Sequence, residues 1–256
     1  MDIQDQSQDP NRSILLIHGA WHTPKFYEAF VHTLEARGHQ VHCPHLPTCN
    51  GDLPPTKSLE DDVALIREIA TKLADDGQEI DVIMHSYGGI AGTDALCGLG
   101  VEERARRGDR GGVKRLIYLT AFVPLKGQSL FGIFNGAIAP TIIIDDNLKV
   151  ITATDPISLY YNDLPIEEAQ YWKGHIVVHP KSAQFTPVKN EAFREIPVTY
   201  IMCDNDKGII PVVQQMMIDN VKALGVEVQI EHCSGSHSPF LSMPQTLSDI
   251  IEKIIR

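Results

Sequence analysis

Two hydrophobic rhythms alternate along the chain. Short, nearly continuous apolar runs stand between stretches whose apolar residues recur three and four positions apart. The first short run, "SILLIH" (13–18), has the pattern of a strand covered on both faces. Thr23 and Pro24 then offer an N-cap and a first helical position. Phe26, Tyr27, Phe30 and Leu34 form a helical stripe, and Gly38 supplies the stop. "HQVHCP" (39–44) predicts a second strand, and the Pro- and Gly-rich "LPTCNGDLPP" a long loop. Ser58 caps the next predicted helix, whose stripe is Leu59, Val63, Ile66, Ala70 and Leu73 and whose end is Gly77. "IDVIMH" (80–85) is a strand, and a helix is expected from Gly88 onward. "VKRLIYLTAF" (113–122), "VTYIMC" (198–203) and "VEVQIEH" (226–232) predict three further strands. "PVVQQMMIDNVKALG" (211–225) and "PQTLSDIIEKII" (244–255) predict helices.

Strands that alternate with helices imply an α/β protein with a mainly parallel, doubly wound sheet covered on both faces. Ligands in such sheets sit beyond the carboxyl ends of the strands. The rhythm breaks between 124 and 195. There "TIIIDDNLKVIT" reads as a hairpin around Asp145, Asp146 and Asn147, and "PIEEAQYWKG" as a short helix. The expected organisation is therefore a core from 1–123 and 196–256 with an inserted cap from 124–195.

Composition narrows the picture only at its edges. The chain has 256 residues, 43% hydrophobic and 21% charged, enough for one large core. A net charge of −11 argues against a nucleic-acid or anionic-membrane surface. The run "EERARRGDRGGVKR" (102–115) mixes both signs and reads as a solvated helix end and loop. Five scattered cysteines without a CxxC pair read as free thiols in a reducing compartment. The polar start "MDIQDQSQDPNR" has no apolar signal region, and no stretch reaches the length of a membrane span. A cytoplasmic protein is expected, with no nucleic-acid or membrane partner.

The chemistry centres on "DVIMHSYGG" (81–89). A lone hydroxyl, Ser86, stands where a buried strand meets two glycines. A sharp strand-to-helix turn would expose that hydroxyl above the sheet and aim the next backbone N–H at whatever it attacks. A serine before a helix is also an ordinary cap. The other strand ends separate the two readings. A serine nucleophile needs a base, and the base needs an orienting acid. Asp204 and Asp206 follow one strand, and His237 in "CSGSHSPF" follows the next, with His232 as a competitor inside the strand pattern. After the first strand, Gly19 permits close backbone approach. The Ala20 N–H there can join that of Tyr87 as an oxyanion hole. Such donors are worth about 3–4 kcal/mol each.

"HGAWH", "HSYGG", "CDNDKGIIP" and "SGSHSPF", in this order, resemble the α/β-hydrolase superfamily. The likeness is to its small cofactor-free members, the plant methyl-ester hydrolase and hydroxynitrile lyase branch, and to fungal and bacterial hydrolases carrying "GAWH" and "HSYGG". It runs from about Ser13 to the end. The resemblance implies an α/β-hydrolase fold and no cofactor. It assigns Ser86 as nucleophile, His237 as base, Asp206 as acid and the Ala20 and Tyr87 amides as oxyanion hole. Met84 departs from the usual G-x-S-x-G glycine.

Trp21, His22, Phe26, Phe122, Tyr160 and Trp172 are candidates for an apolar substrate surface. His39, His42 and His45 with Cys43 have no zinc-type spacing, and no metal is expected. No phosphate-binding glycine motif occurs. The expected activity is serine-dependent cleavage of an ester, thioester or lactone of a small, largely apolar metabolite. Two alternatives share the pocket. One is a lyase or cyclase acting on a polyketide-like natural product. The other is a ligand-binding receptor. Hydroxynitrile lyases of this branch carry a lysine after the histidine. Ser238 stands there in this chain and counts against cyanohydrin cleavage. The expected partner is a small-molecule substrate, with a homodimer left open.

Overall fold

The computed structural model describes residues 11–256, so the acidic N-terminal stretch read above lies almost wholly outside the described residues. Its strands are β1 (Arg12–Ile17), β2 (Gln40–His42), β3 (Glu79–His85), β4 (Gly112–Leu119), β5 (Ile142–Asp145), β6 (Val150–Ala153), β7 (His179–Pro180), β8 (Val198–Cys203) and β9 (Val228–Cys233). Six of them form one parallel sheet in the order β2-β1-β3-β4-β8-β9. β1 and β3 are buried along nearly their whole length, as their continuous apolar sequences require.

The helices are α1 (Glu28–Ala36), α2 (Leu59–Asp75), α3 (Gly88–Ala95), α4 (Val101–Arg106), α5 (Pro156–Tyr160), α6 (Ile166–Lys173), α7 (Lys181–Phe185), α8 (Pro211–Lys222), α9 (Pro239–Ser242) and α10 (Pro244–Ile255). The chain leaves β1 in one direction to reach β2 and returns past it to β3. Right-handed crossovers in opposite directions put α1 and α2 on opposite faces. Accordingly α1 packs on α10, and α2 packs on α3. The reversal between β1 and β3 opens a crevice at the carboxyl end of the sheet.

Opposite the crevice, Asp81 of β3 is buried and pairs with Arg12 at 2.8 Å. Arg12 also donates to Ile255 O at 2.7 Å, and Arg115 donates to Ile254 O. Two cations thus satisfy the last carbonyls of α10, where the helix dipole favours them.

Between β4 and β8 the chain forms a separate antiparallel sheet, β5-β6-β7, with α5, α6 and α7 around it. The β5–β6 pair is a hairpin, with Ile142 opposite Ala153 and Asp145 opposite Val150. Buried side chains of this segment, among them Phe131, Leu159 and Tyr161, join the same hydrophobic core as the parallel sheet.

The structure departs from the sequence reading in several places. β4 stops at Leu119 rather than Phe122, because Thr120 adopts φ 37° and the Phe122 N–H turns to Ser86 O at 3.1 Å. The basic run begins as α4 and is not wholly solvated. Arg104 is buried and donates to Asp75 at 2.7 Å. The two-residue β7 and the short α5, α7 and α9 carry too few residues for a period to show.

Close packing of α3 on the sheet depends on two missing side chains. A Cβ on Gly88 would meet Ile17 O at 2.4 Å, and one on Gly89 would meet Phe122 O at 2.1 Å. Both obstacles are backbone atoms that cannot swing away. Gly89→Ala is therefore expected to lower stability by about 3 kcal/mol. Gly174→Ala, at the end of α6 where the tightest approach is 3.3 Å, should cost under about 0.5 kcal/mol. Urea unfolding midpoints of the two variants test the contrast.

Candidate active site

Ser86 follows β3 at the turn into α3 with φ 53°, a left-handed conformation that non-glycine residues rarely adopt. Gly88 and Gly89 allow the helix to start directly beneath it. Met84 replaces the small residue expected two positions before the serine. Its bulk is accommodated by Gly92, where a Cβ would lie 2.4 Å from Met84 Sδ. Room for the Met84 side chain is thus supplied across the contact between β3 and α3.

The three residues drawn from distant strand ends meet. His237 Nε2 lies 3.0 Å from Ser86 Oγ, and His237 Nδ1 lies 2.7 Å from Asp206 Oδ2. All three are buried. Asp206 is held on both oxygens. Oδ1 accepts from the Gly208 and Ile209 N–H groups at 2.6 and 2.9 Å, and Oδ2 also accepts from Thr120 Oγ1. These donors fix the direction of the carboxylate. The competing residues, Asp204 and His232, pair with each other at 2.8 Å on the exposed surface. A hydroxyl, an imidazole and a fixed carboxylate in line can perform nucleophilic acyl transfer.

Several supporting residues were not singled out in the sequence. His85, beside the serine, is fully buried, and burial holds its pKa well below the usual histidine value. It is therefore neutral. Its Nε2–H donates to the His237 carbonyl at 2.8 Å, and its Nδ1 accepts from Tyr27 Oη at 2.6 Å. Tyr27 Oη in turn accepts from the Gly19 N–H at 3.0 Å. One hydrogen-bonded line thus ties the loop after β1 to the loop after β9. Asp163, from the segment between β4 and β8, accepts from the Ser236 N–H at 2.8 Å and from Ser242 Oγ at 2.7 Å, anchoring the loop that carries His237.

Ala20 and Tyr87 flank Ser86 in the cavity wall. Among the turn, loop and side-chain hydrogen bonds of the described residues, neither backbone N–H has an acceptor. The loop after β1 is braced by two neutral imidazoles. Burial pushes His18 down to about 4 and His22 down to about 3. His18 spans Gly19 O and the Leu46 N–H, and His22 spans Ala20 O and Tyr161 Oη. Trp21, at φ 64°, donates through Nε1 to Ile151 O at 2.7 Å and so attaches the loop to β6.

Above Ser86 lies a cavity of about 400 Å³ with predominantly apolar walls. Of the six residues expected at the substrate surface, Trp21, Phe122 and Tyr160 line it. His22, Phe26 and Trp172 do not, which corrects the expectation for these three. The His22 ring is turned toward Tyr161, and Phe26 packs between His22 and Trp172, with ring centroids 4.5 and 4.9 Å away. Much of the wall comes instead from 130–142, including Leu130, Phe131, Phe134 and Ile138. That stretch shows no period in the sequence. Among the described residues no three His, Cys, Asp or Glu side chains converge as a metal site.

The fold and this constellation define an α/β hydrolase, and comparison with known proteins agrees. Residues 14–250 match the model of the alpha/beta hydrolase family, and the chain belongs to that family. It is 30% identical over 244 residues to a probable hydrolase, R7, of Phoma sp. (strain ATCC 20986 / MF5453), covering 94% of this chain and 97% of that protein. It is 25% identical to Methylesterase 1 of Arabidopsis thaliana, covering 94% of each, which relates it to the plant methylesterase branch. The crystal structure of a pyrethroid hydrolase from Sphingobium faniae JZ-2 superposes with a TM-score of 0.73 at 24% identity, over 95% of this chain and 97% of that one.

The buried imidazoles make stability depend on acidity. His18, His22 and His179 are held near 4, 3 and 3 in the folded chain against 6.5 when unfolded. Below pH 6.5 the unfolded chain binds protons that the folded chain does not, so stability is lost as the pH falls toward 4. Asp62 acts in the opposite sense. Burial pushes its carboxyl up to about 6 from 3.8, so the folded state gains stability as the pH falls through that interval. One carboxyl offsets only part of three imidazoles. The urea midpoint is expected to fall steadily from pH 6.5 to about 4, and a midpoint that stays level over this range would contradict the assignment of neutral histidines.

Proposed function

We propose that this chain is a serine hydrolase that cleaves an ester, thioester or lactone of a small, largely apolar metabolite through an acyl-enzyme. The observation that carries this reading is the line from Ser86 Oγ through His237 to Asp206, with contacts of 3.0 and 2.7 Å, at the floor of an apolar cavity. In the first step His237 Nε2 takes the Ser86 proton as Oγ attacks the substrate carbonyl. The carbonyl oxygen becomes an oxyanion and receives the Ala20 and Tyr87 amides. Asp206 keeps the proton on His237 Nδ1 and stabilises the imidazolium. His237 then gives its proton to the leaving alcohol or thiol. Water attacks the acyl group by the same path and restores Ser86.

The surroundings suit this chemistry. The segment 124–195 supplies much of the cavity wall, in keeping with a cap that excludes water and selects the acyl or alcohol group. Among the described residues no helix is long and apolar enough to cross a membrane. A cytoplasmic enzyme acting on a dissolved metabolite fits the free thiols and the acidic charge.

Ser86→Ala and His237→Ala should each lower kcat/KM for a short aryl ester by about 10⁴-fold or more, because the three residues act as a unit. A fluorophosphonate should label the wild type at Ser86 and leave Ser86→Ala unmodified. Unimpaired turnover by Ser86→Ala would refute the mechanism.

A further inference from the structure

Gln184 of α7 is 1% exposed and lines the cavity together with Ser86, Tyr87 and His237. A buried amide in an apolar wall needs partners for both its ends. Its Nε2 lies 3.0 Å from His179 Nδ1. Among the described residues its Oε1 has no partner.

The direction of this amide is set by a chain of buried groups behind it. Asp62 accepts from the Thr48 N–H at 3.0 Å, from Thr48 Oγ1 at 2.6 Å and from Tyr87 Oη at 2.9 Å. Above about pH 6 the Asp62 carboxyl is ionised and only accepts, so the single hydroxyl hydrogen of Thr48 points at Asp62. The 3.2 Å contact between Thr48 Oγ1 and His179 Nε2 must then use a hydrogen on Nε2. His179 is fully buried and neutral, so its Nδ1 carries no hydrogen and accepts. Only the N–H end of the Gln184 amide can meet it. The carbonyl end is left to face the cavity.

We propose that Gln184 determines specificity, its Oε1 receiving a hydroxyl or N–H group carried by an otherwise apolar carbonyl substrate. Thr48 and His179 are positioning residues that fix which end of the amide is offered. The inference rests on the hydrolase reading of the same site and narrows its substrate class. The wall of the cavity that Gln184 lines is predominantly apolar, with Phe122, Leu130, Phe131, Leu159 and Ile209 among its members. Most of the substrate surface is therefore hydrophobic. A single fixed acceptor in such a wall favours a hydroxylated compound over its deoxy analogue. It also disfavours an ether at that position, because two acceptors face to face leave both unsatisfied.

The test uses para-nitrophenyl esters of phenylpropanoic acid bearing hydrogen, hydroxyl or methoxy at each ring position. Wild type is expected to favour at least one hydroxy isomer by about tenfold in kcat/KM over its unsubstituted and methoxy counterparts. Gln184→Met should bring that ratio within about threefold, whatever its effect on the absolute rates. Thr48→Val frees His179 to take its other tautomer and Gln184 to turn over, so the methoxy ester should gain on the hydroxy ester. A purely structural role would lower all rates together and leave the ratios in place. Calorimetric binding of the matching methyl esters to Ser86→Ala reads the same ratio without turnover. Turnover with no preference at any ring position, or a preference kept in Gln184→Met, overturns the role of Gln184. A binding preference in a protein that turns over none of the esters keeps that role and removes the hydrolase reading instead.

Discussion

The structure depends on how closely the chain can pack where β3 turns into α3. Ser86 is held at φ 53°, and the residues after it begin a helix directly against the backbone of its neighbours. Gly88 lies over Ile17 O and Gly89 over Phe122 O, so both adjacent strand ends, β1 and β4, are pressed to the same point. The Phe122 N–H closes on Ser86 O at 3.1 Å. This contact ends β4 and starts the path into the segment that walls the cavity. Strain at one residue is thereby distributed over three strands, which is how a sparsely populated backbone conformation persists.

Around this point the interior is polar yet electrically quiet. His18, His22, His85 and His179 are all buried, and burial holds each of them neutral. Each then has one donor and one acceptor nitrogen, and each is matched on both sides. The result is a set of hydrogen-bonded lines with fixed direction. One runs from Gly19 through Tyr27 and His85 to the His237 carbonyl, and another from Asp62 through Thr48 and His179 to Gln184. The imidazoles in these lines position the loops without adding charge of their own. An imidazolium formed at His237 would therefore find its compensating charge in Asp206, 2.7 Å away.

The strand–helix alternation was legible because each parallel strand is buried on both faces and must be apolar throughout, as in β1 and β3. Ser86, Asp206 and His237 were legible because they stand just past such strands, where the backbone leaves the sheet. The choice of Asp206 over Asp204 came from resemblance to a family. In the fold the turn after β8 aims Asp206 inward at Thr120 and His237 and leaves Asp204 outside with His232. Met84 looked like a defect in the motif and is matched by Gly92, a compensation visible only across the β3–α3 contact. Half of the expected substrate surface was misplaced. His22 and Phe26 closely follow Ala20 in the sequence and Trp172 lies in the inserted segment, but the three pack against one another behind the loop after β1.

By itself the sequence determined the parallel sheet, the order of its chemistry-bearing loops and the residue types that stand there, because local periodicity and turn composition carry that information. Tertiary structure alone decided the cavity wall from 130–142, the hold of Asp163 on the histidine loop and the direction of the Gln184 amide. Those features are contacts between segments far apart in the chain. Their side chains have no period to betray them, and their roles exist only once burial has removed water as an alternative partner.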